Sequence, residues 1–103
     1  MPSSRVTVVI TYRAHPGKEP AAQAALAGIV GTVLAKEPDC LGISMYEDTR
    51  APGRFLLHER WTSQEAYTGP HFQTPHLQEF IAAAPSLFTG PPDISFWREL
   101  PPA

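Results

Sequence analysis

The sequence is poor in cysteine, in basic clusters and in long apolar runs, and each shortage excludes a class of protein. Cys40 is the only cysteine, which excludes an internal disulfide and a metal centre built from several thiolates. The chain has 8 basic and 10 acidic residues and a net charge of −2, so nucleic-acid binding has little electrostatic support. No apolar run approaches the length of a membrane span. We therefore expect a cytoplasmic protein that binds neither nucleic acid nor membranes.

Sequence motifs for cofactors are also missing. The chain has no glycine-rich phosphate loop, no dinucleotide-binding fingerprint and no ordered serine, histidine and acidic triad. We therefore expect no nucleotide, flavin or other cofactor. The 103 residues are enough for one domain, 1–103, with a core over about 6–99. A domain this small buries a modest fraction of its surface, so pairing with a second copy would stabilise it.

What the sequence does contain is a clear order of alternating and helical patterns. Apolar residues alternate from Val6 to Tyr12, which is typical of a strand, and an apolar stripe from Ala22 to Val33 predicts a helix. The predicted strands are Val6–Ala14, Cys40–Thr49, Arg54–Trp61 and Ile94–Leu100, and the predicted helices begin near Pro20, Thr62 and Thr74. Thr62 with Glu65 matches a capping box, and Thr74 precedes a proline suited to a first helical position.

The predicted order is therefore β-α-β-β-α-β. The simplest architecture for it is an α+β, ferredoxin-like fold with a four-stranded antiparallel sheet and both helices on one face. The other face of the sheet would then carry valines and aromatic side chains, which invite association if they stay open to water. We therefore predict a homodimer in which two sheets pack face to face.

The stretch "GPHFQTPH" holds half of the four histidines, His71 and His76, between two breaks in the helical pattern. A metal site would need three or four ligands, and no paired acidic motif accompanies these two. An acid–base site needs a group that titrates near neutrality, which histidine provides. The third alternative is an ordinary helix joint in which the histidines cap helix ends or lie at the dimer rim.

Other side chains near this joint could form the wall of a pocket. Glu59 and Trp61 share one face of the predicted third strand, and a partly buried Glu59 would need a hydrogen-bonding partner. Trp61 would either pack in the core or stack on a flat substrate. The remaining candidates for the pocket wall are aromatic, and core packing is their alternative role: Tyr46, Tyr67, Phe72 and Phe80.

The segments "HPGKE", "ERWTSQEAYTGPHFQTPHLQEF" and "LFTGPP" together resemble the antibiotic biosynthesis monooxygenase family, over about Val6 to Glu99. The most specific piece, "HFQTPHLQEF", is similar to the histidine-containing segment of the quinol monooxygenases and of the isomerase of phosphorylated autoinducer-2 in this family. The resemblance implies a ferredoxin-like dimer whose two sheets form an α+β barrel. A haem-degrading branch uses three residues whose places here hold Tyr12, Pro70 and Phe80, so no haem is implied.

Because this family is functionally mixed, the resemblance leaves three functions open. The first is a cofactor-independent monooxygenase that oxidises a small dihydroxyaromatic or quinol with O2, with His71 as the base and His76 as second choice or partner. The second is an isomerase or lyase acting on a small carbonyl compound. The third is a non-catalytic dimeric module that binds a small molecule.

Overall fold

The structure is a computed structural model that describes residues 4–102. It contains four strands, three α-helices and two short 3₁₀ turns. The strands are β1 (Val6–Arg13), β2 (Cys40–Glu47), β3 (Arg54–Trp61) and β4 (Asp93–Trp97). The helices are α1 (Glu19–Lys36), α2 (Gln64–Thr68) and α3 (Pro75–Ala83), and the 3₁₀ turns are Pro70–Gln73 and Ala84–Ser86.

The four strands form one antiparallel sheet in the order β2-β3-β1-β4. In the register of β1 and β3, Val8 lies opposite Glu59 and Ile10 lies opposite Leu57. Because side chains alternate between the two faces of a strand, these residues share one face. The element order and the sheet confirm the predicted ferredoxin-like fold.

The core lies between this face and the helices. The same alternation that predicted β1 places Val8 and Ile10 in the core, at 0% and 3% exposure. The apolar stripe of α1 packs onto them through Ala22, Leu26 and Val33, which are all buried. The predicted helical stripe is thus the contact surface of α1 with the sheet.

The helix starts follow side-chain capping, with one shift from the sequence prediction. Ser63, and not Thr62, is the N-cap of α2, where its hydroxyl accepts a hydrogen bond from the Ala66 N–H at 3.1 Å. The Thr62 hydroxyl instead donates to Asp39 Oδ1 at 2.8 Å, which ties the end of β3 to the start of β2. Thr74 caps α3 as predicted, with Pro75 in the first helical turn.

The second face of the sheet points away from the helices. Val9, His58 and Leu56 lie on it in neighbouring positions of β1 and β3, and Tyr46 lies opposite Leu56. Tyr46 is 55% exposed, and Trp97 on β4 is 59% exposed. Within residues 4–102, none of the helices combines the length and the apolar character needed to cross a membrane.

Candidate active site

A cavity of about 510 Å³ lies between the helix-covered face of the sheet and the helices. Its wall is mainly aliphatic and aromatic, with side chains from β1, β3, α1 and α3. Five polar side chains also reach the cavity: Tyr12, His15, Glu59, Tyr67 and His71. An apolar hollow with a few polar groups is the usual form of a small-molecule site.

One polar cluster, which reaches this wall through His71, consists of His71, His76 and Glu37. His71 Nδ1 lies 2.9 Å from Glu37 Oε1, and His76 Nε2 lies 2.6 Å from Glu37 Oε2. An ionised carboxylate only accepts hydrogen bonds, so both imidazoles donate to Glu37. Glu37 is the C-cap of α1. The cluster therefore connects the end of α1 to the segment between α2 and α3, residues 69–74, which we call the joint.

The backbone of the joint explains why His71 turns inward. Gly69 ends α2, and a Cβ atom there would lie only 2.9 Å from the Glu65 carbonyl oxygen, so a side chain would not fit. The 3₁₀ turn that follows carries His71 into the protein, where it is 5% exposed. The Thr74 hydroxyl donates to the His71 carbonyl at 2.8 Å and accepts from the Leu77 N–H, which fixes the turn against α3.

Burial lowers the pKa of His71, and the hydrogen bond to Glu37 opposes that effect. The imidazole is therefore neutral at neutral pH. Because Nδ1 carries the proton that Glu37 accepts, Nε2 keeps a lone pair that can take a proton. The ring is held in place by Trp61, Tyr67 and Phe72, whose ring centroids lie 4.7, 5.0 and 5.5 Å away.

Glu59 is a second acidic group at the cavity wall, and it is only 4% exposed. The Trp61 indole N–H donates to its Oε1 atom at 2.9 Å. Burial raises the pKa of Glu59 to about 7, the indole hydrogen bond lowers it, and the negative charge of Glu37 raises it. Glu59 thus exchanges its proton near neutral pH, as a general base must.

Two tyrosine hydroxyls also belong to the polar part of the cavity, beside His15. Burial, and to a smaller extent the charge of Glu59, raises the pKa of Tyr12 and of Tyr67 far above the ordinary value. Both phenols therefore stay protonated and are available as hydrogen-bond donors. The site offers two proton acceptors and two neutral donors in an apolar setting, which suits a substrate that becomes an anion.

Several known proteins are similar to this chain, in fold or in sequence. Rv0793 from Mycobacterium tuberculosis is 26% identical, with a TM-score of 0.83 over 97% of this chain and 99% of that one. PA3566 from Pseudomonas aeruginosa is 24% identical, with a TM-score of 0.85 over 96% and 97% of the two chains. The uncharacterized protein sll1783 from Synechocystis is 37% identical over 60% of this chain. The match spans only 42% of the length of that relative.

The sequence model of the antibiotic biosynthesis monooxygenase family matches residues 5–83. The chain belongs to this family. The matched range contains both histidines of the joint and both glutamates of the site. The family and its ferredoxin-like fold, which the resemblance implied, are therefore confirmed.

Five of the eight residues predicted for the site line the cavity of this family member. They are Glu59, Tyr67, His71, Phe72 and Phe80. Trp61 lies behind this wall, fully buried against His71 and Glu59, and His76 reaches Glu37 without lining the cavity. Tyr46 is apart from the others, because it lies on the second face of the sheet.

Sequence reasoning missed Glu37, Tyr12 and the contribution of His15 to the wall. Tyr12 had a visible signal, because it continues the alternation of Val6, Val8 and Ile10 onto the core face. Glu37 had none, since its partners are 34 and 39 residues away in the sequence. Within residues 4–102, no set of three histidine, cysteine or acidic side chains is arranged to hold a metal ion.

Proposed function

We propose that the protein is a cofactor-independent monooxygenase that oxidises a small electron-rich phenol or dihydroxyaromatic with O2. The observation that carries the proposal is that His71 lines the apolar cavity while its Nδ1 atom is held by Glu37. The cavity volume of about 510 Å³ is in the range of small-molecule sites. Aromatic and aliphatic walls suit a flat ring and keep water from the reaction.

The chemistry begins with the loss of a proton. A phenol is a weak electron donor, whereas its anion can pass an electron to O2, so the substrate supplies the reactivity that a flavin provides elsewhere. His71 Nε2 takes the hydroxyl proton, and Glu37 stabilises the imidazolium that forms. The Tyr12 and Tyr67 hydroxyls can donate to the phenolate oxygen.

The remaining steps balance without an external reductant. The phenolate transfers one electron to O2, and the two radicals join to form a bond between a ring carbon and oxygen. Protonation gives a hydroperoxide. Loss of its terminal oxygen as water then leaves a carbonyl, so a phenol and one O2 give a quinone and one water.

The carbonyl isomerase or lyase remains the alternative on the same fold. A phosphorylated substrate would need cationic groups, and neither lysine nor arginine is among the described side chains that line the cavity. This favours a neutral or weakly acidic aromatic substrate over a phosphorylated one. A non-catalytic binding module would hold a small molecule in the cavity without consuming O2.

Oxygen uptake separates these functions. The protein is incubated with a panel of naphthols and hydroquinones, beside small aldehydes and ketones, and ¹⁸O2 is used to trace oxygen into the product. We expect uptake with at least one phenol and one ¹⁸O atom per quinone formed. Isomerised carbonyl compounds without oxygen uptake would show the alternative, and binding without either reaction would show the module.

A matched pair of variants tests His71. Asparagine places an amide N–H near the position of Nδ1, so His71→Asn keeps a donor for Glu37 but removes the Nε2 lone pair. Turnover should fall by roughly 10²–10⁴-fold. His71→Gln removes the base and misplaces the donor, so it should be at least as slow. Wild-type turnover in both folded variants would remove His71 from the mechanism.

We also propose that the protein is a homodimer that packs through the second face of the sheet. The support is the apolar and aromatic character of that face, where Val9, Leu56, Tyr46 and Trp97 are exposed or half-buried. Sedimentation at micromolar concentration should give twice the chain mass of 11.3 kDa. A monomer at this concentration would exclude the barrel arrangement.

A further inference from the structure

We infer that Glu59 is a second proton acceptor in the cavity, separate from the His71–Glu37 pair, and that the site takes aromatic compounds that give up two protons at different positions. The inference rests on the proposed function and specifies its substrate class. It concerns phenols that carry a hydrogen on the ring carbon to be oxygenated.

The geometry leaves one oxygen of Glu59 open to the cavity. Oε1 accepts from the Trp61 indole, and no described group donates to Oε2. Among the described residues, no side-chain nitrogen or oxygen is both fully buried and without a hydrogen-bond partner. Since Glu59 lines the cavity, the unbonded Oε2 must face that space.

Glu59 and the histidine cluster occupy different positions of the wall. Trp61 lies between them: its N–H bonds Glu59, and its ring centroid is 4.7 Å from that of His71. No hydrogen bond joins Glu59 to His71, His76 or Glu37 within the described part of the chain. A proton on one acceptor therefore does not pass directly to the other.

The surroundings of Glu59 keep its proton exchangeable. Its neighbours across β1 and β2 are Val8 and Ile43, which are apolar. The titratable groups that interact with it from the other elements are Glu37, Tyr12, Tyr67 and Cys40, and His71 and His15 share its cavity. None of these neighbours is a lysine or arginine that would hold the carboxylate permanently ionised, which agrees with the raised pKa of about 7.

The proposed reaction removes two protons, one from the hydroxyl and one from the ring carbon, and Glu59 can accept the second. The hydroxyl proton taken by His71 returns to the terminal peroxide oxygen, which gives the hydroperoxide. Glu59 then takes the proton of the ring carbon while the C–H electron pair forms the carbonyl and the O–O bond breaks. The departing hydroxide receives that proton from Glu59 and leaves as water, so both acceptors return to their starting states.

Binding of 4-nitrophenolate at pH 8 tests the inference without turnover. An anion in the cavity raises the affinity of nearby ionised groups for protons, so Glu59 should take up a proton when the ligand binds. Calorimetry in buffers of different ionisation enthalpy counts the protons. We expect Glu59→Gln to lose more than half of the uptake and His71→Asn to keep most of it. The exposed glutamate variant Glu79→Gln is the matched control and should equal the wild type.

Three results would overturn the inference: uptake that survives Glu59→Gln, uptake that disappears in His71→Asn alone, or failure of 4-nitrophenolate to bind. Proton uptake at Glu59 without any oxygenation would instead overturn the proposed monooxygenase and leave the acceptor in place. With a phenol that is oxygenated, Glu59→Gln should lower kcat by roughly 10²-fold. It should also increase the isotope effect of deuterium on the reacting ring carbon, which a purely structural role would not do.

Discussion

Replacing Glu59 by glutamine should make the protein more stable at alkaline pH. The raised pKa of Glu59, about 7 against an ordinary 4.5, means that the folded state holds this proton more tightly than the unfolded chain. Each unit of difference is worth about 1.4 kcal/mol, so the ionised carboxylate costs the folded state on the order of 3 kcal/mol above pH 7. Glutamine has nearly the same shape, keeps an oxygen for the Trp61 N–H, and carries no charge.

The direction of the pH dependence follows from linkage. Between about pH 4.5 and 7, the folded state keeps the proton that the unfolded chain releases, so wild-type stability falls as the pH rises through this window. Below it, both states are protonated and the cost disappears. The advantage of Glu59→Gln should therefore be near zero at pH 4.5, grow up to pH 7, and then stay constant.

Urea denaturation of the wild type and of Glu59→Gln, at half-unit steps from pH 4.5 to 8.5, measures this difference directly. Glu79→Gln, a change of an exposed glutamate on α3, serves as the control and should shift little with pH. Contributions from other titrating groups largely cancel when each variant is compared with the wild type. A difference that is constant across the pH range, or a Glu59→Gln protein less stable at pH 8, would refute the reasoning.

Four further predictions concern the joint, the indole and the second sheet face. His71→Ala should lower the free energy of unfolding in urea by about 2 kcal/mol, because a buried ring and its hydrogen bond are lost; an unchanged value would contradict the observed packing. Thr74→Ala should cost about 1 kcal/mol through loss of the cap of α3, again measured in urea. Trp61→Phe removes the N–H that lowers the pKa of Glu59, so the midpoint of the pH–rate profile should move above 7. Tyr46→Arg should convert a dimer to a monomer in sedimentation if the second face is the interface.

The fold could be predicted from the sequence because its information is local. The alternation along β1 and the stripe on α1 each depend on neighbouring residues, and both match the buried positions observed. The start of α2 was misplaced by one residue because Thr62 and Ser63 can both cap a helix. The choice depends on Asp39, which lies just before β2 and accepts a hydrogen bond from the Thr62 hydroxyl, and such a contact leaves no local pattern.

The site was less predictable for the same reason. The joint drew attention through its prolines and histidines, but the sequence left open whether the histidines belong to a site, cap helix ends or lie at the dimer rim. In the structure, His71 is 5% exposed and packs against three aromatic rings. Its partner Glu37 comes from the end of α1, so its role depends on how the helix docks on the sheet.

The two glutamates of the site are chemically identical, and their surroundings give them different roles. Both oxygens of Glu37 accept from imidazole nitrogens, so its carboxylate is held by two donors and can orient His71 and His76. Glu59 has a single donor, the Trp61 indole, and its second oxygen faces the cavity. A carboxylate with both oxygens engaged stabilises a neighbouring cation, whereas one with a free oxygen and a pKa near 7 can exchange a proton with a ligand. This difference in hydrogen bonding is why we assign the positioning role to Glu37 and the proton transfer to Glu59.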